Sequence, residues 1–204
     1  MRPDDPAGAP APGRPIRRRG PEGEISVFVA DEQDEHLVDT SRWTRLAEQA
    51  LVAEGIEGEV ELSVIFVDEA HMADLNQTFM GHDGPTDVLS FPLDGVADGG
   101  PDVFTAGLSP AGGGAPFDPD DVPLLLGDVF ICPAVAAAQA GGHAGSYDDE
   151  IALLLVHGVL HILGFDHAVD AERIAMQARE RELLAQHHGP LAADPWTTGA
   201  DGIG

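Results

Sequence analysis

Three histidines in the segment HGVLHILGFDH, residues 157 to 167, are the strongest candidates for chemistry in this chain. His157 and His161 are four residues apart, so on a helix both imidazoles project from one face, one turn apart. Gly164 is suited to end such a helix, and His167 can then supply a third nitrogen from the following turn. Three nitrogen ligands with a fourth position left for water are typical of catalytic zinc. The spacing therefore predicts one Zn²⁺ bound by His157, His161 and His167.

The residue that follows the first histidine limits the reaction class. In zinc peptidases with two histidines on a helix, a glutamate at that position serves as general base. Here the residue is Gly158. The pattern therefore favours a metal-dependent hydrolase and opposes ordinary peptide hydrolysis, unless the base comes from elsewhere. Asp166 has three open interpretations: it caps the turn, it accepts the second N–H of a ligand histidine, or it serves as a catalytic base.

A long helix at residues 146–164 must carry the first two histidines, because Ser146 is suited to start it and Gly164 to end it. The remaining apolar patterns alternate between strand and helix. They predict strands at 25–31, 61–68, 87–92 and 124–133, and helices at 40–54, 69–79, 133–141 and 169–188. Pro92 makes 87–92 an edge strand. On the last helix, Ile174, Leu183 and Leu184 are expected to point inward.

The chain of 204 residues is long enough for one domain with its own core. Residues 24–188 carry the patterns of that domain, with a mobile acidic Gly/Pro-rich insert at 94–123. Residues 1–23, a basic Pro-rich arm, and the tail 189–204 are expected to be disordered. The arm has a second interpretation, contact with RNA or the ribosome. With one cysteine, no signal segment and no membrane-length apolar run, we expect a cytoplasmic protein.

The charge balance opposes unaided binding to nucleic acid. The chain has 10 Lys+Arg, all of them arginine, against 36 Asp+Glu, for a formal net charge of −26. No basic residue lies between Arg45 and Arg173. Tight binding to nucleic acid normally rests on Lys and Arg contacts to phosphates, so this field repels polyanions.

Three ordered sequence blocks resemble the YbeY family of zinc endoribonucleases. HGVLHILGFDH resembles the family signature HGxLHLxGyDH, and LNQTFMGHDGPTDVLSFP at 75–92 resembles LNxxyRxxxxPTDVLSFP. LGDVFICPAVAAAQA at 126–140 resembles the family's GDIvIs segment and the helix after it. The resemblance covers roughly residues 25 to 188 and leaves the arm, the insert and the tail outside it.

The resemblance implies a fold, a metal site and a reaction. The fold is α/β (α+β): a small mixed, mostly parallel four-stranded sheet flanked by about five to six helices, with the zinc site at the end of a long helix. His157, His161 and His167 are the implied zinc ligands. The implied reaction is metal-assisted cleavage of an RNA phosphodiester. Met80 replaces an arginine that many members carry for RNA contact, and a methionine cannot donate to phosphate.

The PTDVLSFP block contains candidate residues near the cleft. Thr86 and Ser90 are expected to line it and to contact substrate. Asp87 is open between a general base and a turn cap, because a carboxylate serves either purpose.

Two functions from different classes remain. The first is a single-strand-specific zinc endoribonuclease in ribosomal RNA maturation, at the 3′ end of the small-subunit rRNA, and in ribosome quality control. The second is a zinc-stabilised ribosome assembly factor with weak or no nuclease activity, whose acidic surface binds a basic ribosomal protein or assembly factor. Ribosomal RNA and ribosomal proteins are the expected partners, and the oligomeric state is left open.

Overall fold

The structure, a computed structural model, describes residues 23–93, 123–167 and 169–196. This part of the chain contains four strands and five α-helices. The strands are β1 (Ile25–Asp31), β2 (Val60–Phe66), β3 (Val88–Pro92) and β4 (Leu124–Ile131). The helices are α1 (Thr40–Ala53), α2 (Glu69–Leu75), α3 (Pro133–Ala140), α4 (Tyr147–Ile162) and α5 (Asp170–His187), with a π-helical turn at Asn76–Met80.

The strands form one sheet in the order β1-β2-β4-β3. The pairs β1–β2 and β2–β4 are parallel, and β3 pairs antiparallel with β4 at the edge. This mixed, mostly parallel sheet with its helices confirms the predicted α/β class. The edge position of β3 also agrees with the prediction from Pro92, whose missing N–H an edge strand tolerates.

The main core lies between one face of the sheet and helices α1, α4 and α5. Inward side chains of the strands, such as Val64, Val129 and Val88, pack there, as strand alternation requires. A smaller cluster of Val67, Met72, Leu89 and Cys132 lies apart from the main core. Helix α4 is central, since thirteen of its sixteen residues are buried. A helix that is apolar on all sides has to be buried. Burial of α4 in turn holds the side chains that it carries in fixed positions.

The segment after α5 is ordered through residue 196, whereas the sequence pattern predicts a disordered tail from residue 189. Ala193 donates its N–H to the carbonyl of Ala144, and Leu191 and Trp196 pack against the main core. The partners in these contacts are distant in sequence from residues 189–196, so local composition does not reveal them. The expectations for residues 1–22, 94–122 and 197–204 lie outside the described residues.

One inward position of α5 is predicted wrongly. Ile174 is 61% exposed, whereas Leu183 and Leu184 are buried as expected. The buried stripe runs through Met176 and Glu180. Residue 174 lies two positions before Met176, roughly 200° around the helix, and so it faces solvent. Across the described part of the chain, no helix is long and apolar enough to cross a membrane.

Candidate metal centre

The end of α4 brings the chain back toward its own last turn. Ser146 caps the start of the helix by accepting from the N–H of Asp149. At the other end, Gly164 adopts a φ of 88°, a left-handed conformation that suits glycine. Gly164 donates to the carbonyl of His161, and Phe165 donates to that of Leu160. This pair of bonds is a Schellman motif, which ends the helix and reverses the chain.

The reversal places His167 beside the two helical histidines. One nitrogen from each of His157, His161 and His167 lies within 4.8 Å of the others. The ring centroids are 4.5 Å apart for His157 and His161, and 4.9 Å apart for His161 and His167. His157 is buried, His161 is half-buried and His167 is exposed. The cluster therefore opens to solvent on the His167 side, where a substrate can approach.

Hydrogen bonds at Nδ1 of His157 and His161 determine which ring nitrogen of each residue carries the lone pair. His157 donates from Nδ1 to Oε1 of Glu180 at 2.8 Å, and His161 donates from Nδ1 to the carbonyl of Phe165 at 3.0 Å. A neutral imidazole with its proton on Nδ1 carries its lone pair on Nε2. Both Nε2 atoms are therefore acceptors.

These two Nε2 atoms face each other at 3.0 Å. Two lone pairs at that distance repel each other unless a cation lies between them. Two nitrogens bound tetrahedrally to one zinc are about 3.3 to 3.4 Å apart, so a small adjustment accommodates the ion. Burial, together with the neighbouring His157 and His167, lowers the pKa of His161 to about 4. The residues present therefore fit a metal ion.

Glu180 of α5 orients His157 and was not found from the sequence. Its side chain is 2% exposed, and its second oxygen, Oε2, accepts from Nε1 of Trp196 at 2.6 Å. Burial alone would raise the pKa of Glu180, but the hydrogen bonds from His157 and Trp196 outweigh it and lower that pKa. An ionised carboxylate behind a ligand histidine fixes the tautomer and raises the basicity of the ligand nitrogen.

Gly158 packs directly against the sheet, which explains the absence of a glutamate there. A Cβ atom at this position would lie 2.6 Å from Cγ1 of Val129 and 3.1 Å from Oγ of Ser90. Real Cβ atoms essentially never make the first contact, and Val129 is fully buried. A glutamate cannot fit between α4 and the sheet, so any general base lies elsewhere.

Asp166 and Ser90 lie next to the cluster. Asp166 is exposed, and its Oδ1 accepts from the backbone N–H of His167 at 2.6 Å, which favours the turn-capping interpretation. The Nδ1 atoms of the two helical histidines have other acceptors, as described above. Ser90 is half-buried on β3 and lies against α4 at Gly158, one residue from the first ligand.

Asp87 belongs to a separate buried network at the start of α4. Its Oδ1 accepts from the N–H of Val88 at 2.8 Å and from the hydroxyl of Thr86 at 3.2 Å. Its Oδ2 accepts from Nε2 of Gln139, which also donates to Glu150. Glu150 precedes the first ligand by seven residues, which is about 10 Å along the helix. These contacts favour the capping interpretation of Asp87 and give Thr86 a partner in the next residue, just before β3.

Met80 ends the π-helical turn and is 45% exposed. Its neighbour Phe79 is 60% exposed and stacks at a tilt on Phe91, with ring centroids 4.9 Å apart. The position that resembles the family's arginine is therefore accessible, and it presents an apolar side chain.

Comparison with known proteins gives the family of the chain. Residues 28–188 match the family model described as Endoribonuclease YbeY. The chain belongs to the YbeY family. Proteins named Endoribonuclease YbeY include one from Acidothermus cellulolyticus, 48% identical over 162 residues, covering 78% of this chain and 90% of that protein. One from Salinispora tropica is 45% identical over 163 residues, covering 79% and 95%.

Among solved structures, the solution structure of TM1509 from Thermotoga maritima is similar, at 22% identity and a TM-score of 0.46. It covers 79% of this chain and 91% of that one. The YbeY model ends at residue 188, so Trp196, which donates to Glu180, lies beyond the matched segment.

A signal for Glu180 does exist in the sequence. Met176, Glu180, Leu183 and Leu184 share one helical face, and a glutamate on an apolar stripe is a candidate for a buried role. Trp196 has no comparable signal, because its partner lies sixteen residues away across a turn.

Proposed function

We propose that this protein is a zinc-dependent endoribonuclease that cleaves single-stranded RNA in the cytoplasm. We further propose that it matures ribosomal RNA at the 3′ end of the small-subunit rRNA and takes part in ribosome quality control. Membership of the YbeY family supports the nuclease activity, since the family and the relatives named above carry the description endoribonuclease.

One observation carries the metal dependence. The Nε2 atoms of His157 and His161 face each other at 3.0 Å while both Nδ1 atoms donate elsewhere. His167 adds a third nitrogen from an exposed turn. One Zn²⁺ per chain, held by these three residues, satisfies the donor set and leaves a position open.

Zinc bound here would supply Lewis acidity to a phosphodiester oxygen and acidify a water molecule. The residues of the chain do the rest. Glu180 keeps the proton of His157 on Nδ1, and the carbonyl of Phe165 does the same for His161. Asp166 is an exposed carboxylate beside His167, and we assign it as proton acceptor for the attacking water. Ser90 and Thr86 are proposed to line the cleft, and Asp87, immediately before β3, to hold the start of that strand.

A second function is favoured by the charge. The net charge of −26 and the methionine at position 80 both weaken contact with RNA phosphates. In this alternative, zinc stabilises the fold, and the acidic surface binds a basic ribosomal protein or assembly factor. RNA contact then depends on that partner.

The deciding experiment combines metal content with RNA cleavage. Zinc per chain is measured by mass spectrometry on the sample that is assayed against a single-stranded RNA. Wild type is compared with His161→Ala, with His82→Ala as an exposed histidine control. We expect about one zinc per wild-type chain, and loss of both zinc and cleavage only in His161→Ala. Absence of metal in the wild type would contradict the assignment of the three histidines.

Met80→Arg separates the two functions. Leu37→Arg is its control, because Leu37 is 95% exposed and the same charge is added away from the described centre. Cleavage already present in the wild type supports the nuclease. Zinc without cleavage, with cleavage gained only in Met80→Arg, would favour the assembly factor and show that a cation for RNA is missing.

A further inference from the structure

A cavity of about 220 Å³ lies between α1 and the carboxyl end of α5. Its lining includes two arginines and two histidines, Arg42, Arg45, His187 and His188, together with Trp43 and Gln49. Among the described residues, no carboxylate lines it. In a chain with 36 acidic and 10 basic residues, such a concentration of positive and potentially positive groups is unusual.

Arg42 and His188 form one wall of the cavity, and contacts with two carboxylates hold them in place. Arg42 donates from Nη1 to Asp148 at 2.5 Å, and its guanidinium lies 4.7 Å from the centre of the Trp43 ring. His188 interacts through Nδ1 with Nη2 of Arg42 at 3.4 Å, and through Nε2 with Asp149 at 2.8 Å. The two carboxylates therefore lie behind the wall and orient it, and each neutralises part of its charge.

Two other residues of the cavity, Arg45 and His187, have side-chain nitrogens without a hydrogen-bond partner among the described residues. Five arginines lie in the described part of the chain, and four of them pair with carboxylates. The pairs are Arg42–Asp148, Arg173–Asp170, Arg179–Glu54 and Arg181–Asp194. Arg45 has no ion pair or hydrogen bond to any described residue. Nε2 of His187 is buried and has no hydrogen-bond partner among those residues.

We propose that this cavity binds a phosphate group. The Arg45 guanidinium offers planar paired donors that match phosphate oxygens, and an imidazole N–H adds a further donor. Arg42 supplies a second positive charge at a fixed position. A buried polar atom without a partner is disfavoured, and a bound oxyanion would give His187 the acceptor that it lacks.

The cavity is distinct from the histidine cluster. Asp148, behind its wall, precedes the first ligand by nine residues of α4, which is about 14 Å along the helix axis. His187 follows Glu180 by seven residues of α5, which is about 10 Å. The proposal therefore does not depend on the nuclease assignment. The phosphate group belongs either to an RNA strand or to free phosphate.

The test is a titration of zinc-loaded protein with inorganic phosphate at low ionic strength, followed by NMR. The reporters are the indole N–H of Trp43 and Nε–H of Arg45. Arg45→Gln removes the unpaired cation, and Arg173→Gln removes an equal charge from a half-buried residue at the other end of α5. We expect a saturable shift at Trp43 in wild type and Arg173→Gln, and affinity at least about 10-fold lower in Arg45→Gln.

Two results would overturn the proposal: shifts confined to the histidine cluster, or equal affinity in both variants. Cleavage retained without phosphate binding at Trp43 would reject the cavity alone and leave the nuclease assignment intact. Conversely, phosphate binding without cleavage would support the cavity while rejecting the nuclease.

The source of the phosphate is settled by a second titration. A single-stranded 2′-O-methyl oligonucleotide is added, with and without a 5′-phosphate. If Arg45→Gln weakens binding of either oligonucleotide by the same factor as inorganic phosphate, the ligand is an RNA phosphate. If only inorganic phosphate binding falls, the ligand is a free phosphate. Both results support the cavity.

Discussion

Glu180→Gln tests whether the carboxylate that hydrogen-bonds to His157 determines metal binding by the histidine cluster. In the wild type, both partners of the Glu180 carboxylate are N–H donors, Nδ1 of His157 at 2.8 Å and Nε1 of Trp196 at 2.6 Å. Glutamine has the same shape but only one acceptor oxygen. The indole N–H can only donate, so the glutamine oxygen satisfies Trp196 and its NH₂ group faces His157. The imidazole must then accept at Nδ1, which moves its proton to Nε2, the nitrogen needed for the metal.

The expected magnitude follows from this change of tautomer. Loss of a partner behind a ligand histidine lowers metal affinity by about 10- to 100-fold. This factor corresponds to about 1.4 to 2.8 kcal/mol of binding free energy. A change at the upper end is expected, because Glu180 is 2% exposed and water cannot replace its oxygen.

The assay is a zinc titration in competition with a chromophoric chelator. Glu182→Gln is the control, because it removes the same charge from an exposed position of α5. Its zinc affinity should stay at the wild-type value. If Glu180→Gln bound zinc as tightly as Glu182→Gln, the carboxylate would not set the tautomer of His157, and the reasoning would be refuted.

Three further changes test the packing around the site. Gly158→Ala should lower the free energy of unfolding by about 1 to 2 kcal/mol in urea denaturation, because its Cβ meets Val129 at 2.6 Å. Trp196→Phe keeps an aromatic side chain but removes the donor to Glu180, and it should lower the free energy of unfolding by about 1 to 3 kcal/mol in the same assay. Burial alone would raise the pKa of Asp149, but the hydrogen bonds it accepts lower that pKa below its ordinary value of 3.8. Its stabilising effect is therefore present above pH 3.8 and is lost as pH falls through the folded-state value, so Asp149→Asn should flatten the acid limb of stability against pH.

The elements that the sequence predicts correctly are those with a local cause. Each strand and helix begins and ends within a few residues of its predicted bounds. Turn residues and the spacing of apolar residues determine these bounds, and both are local features of the sequence. The three histidines belong to this class, since a helix turn and a glycine reversal suffice to bring them together. Ile174 is the exception, because the inner stripe of α5 contains a glutamate that an apolar pattern passes over.

The partners that complete the site come from long-range contacts. Glu180 meets His157 across 23 residues, and Trp196 reaches Glu180 only because the segment after α5 folds back. Their roles depend on how α4 and α5 pack, which no local pattern specifies. The same is true of Gly158, whose reason is the nearness of Val129 on β4.

Because the chain is so acidic, a metal ion bound by the three histidines would have a second role, in binding RNA. Between residues 46 and 172 the sequence has no lysine or arginine, so strands β2 to β4 and helices α2 to α4 provide no cation for RNA. Three neutral histidines that hold a divalent ion would place two positive charges at the one point where a phosphodiester has to approach. In such a field the ion would contribute to binding the substrate as well as to the chemistry. Removing it should therefore weaken RNA binding itself, and that weakening should be greatest at low salt, where the repulsion is least screened.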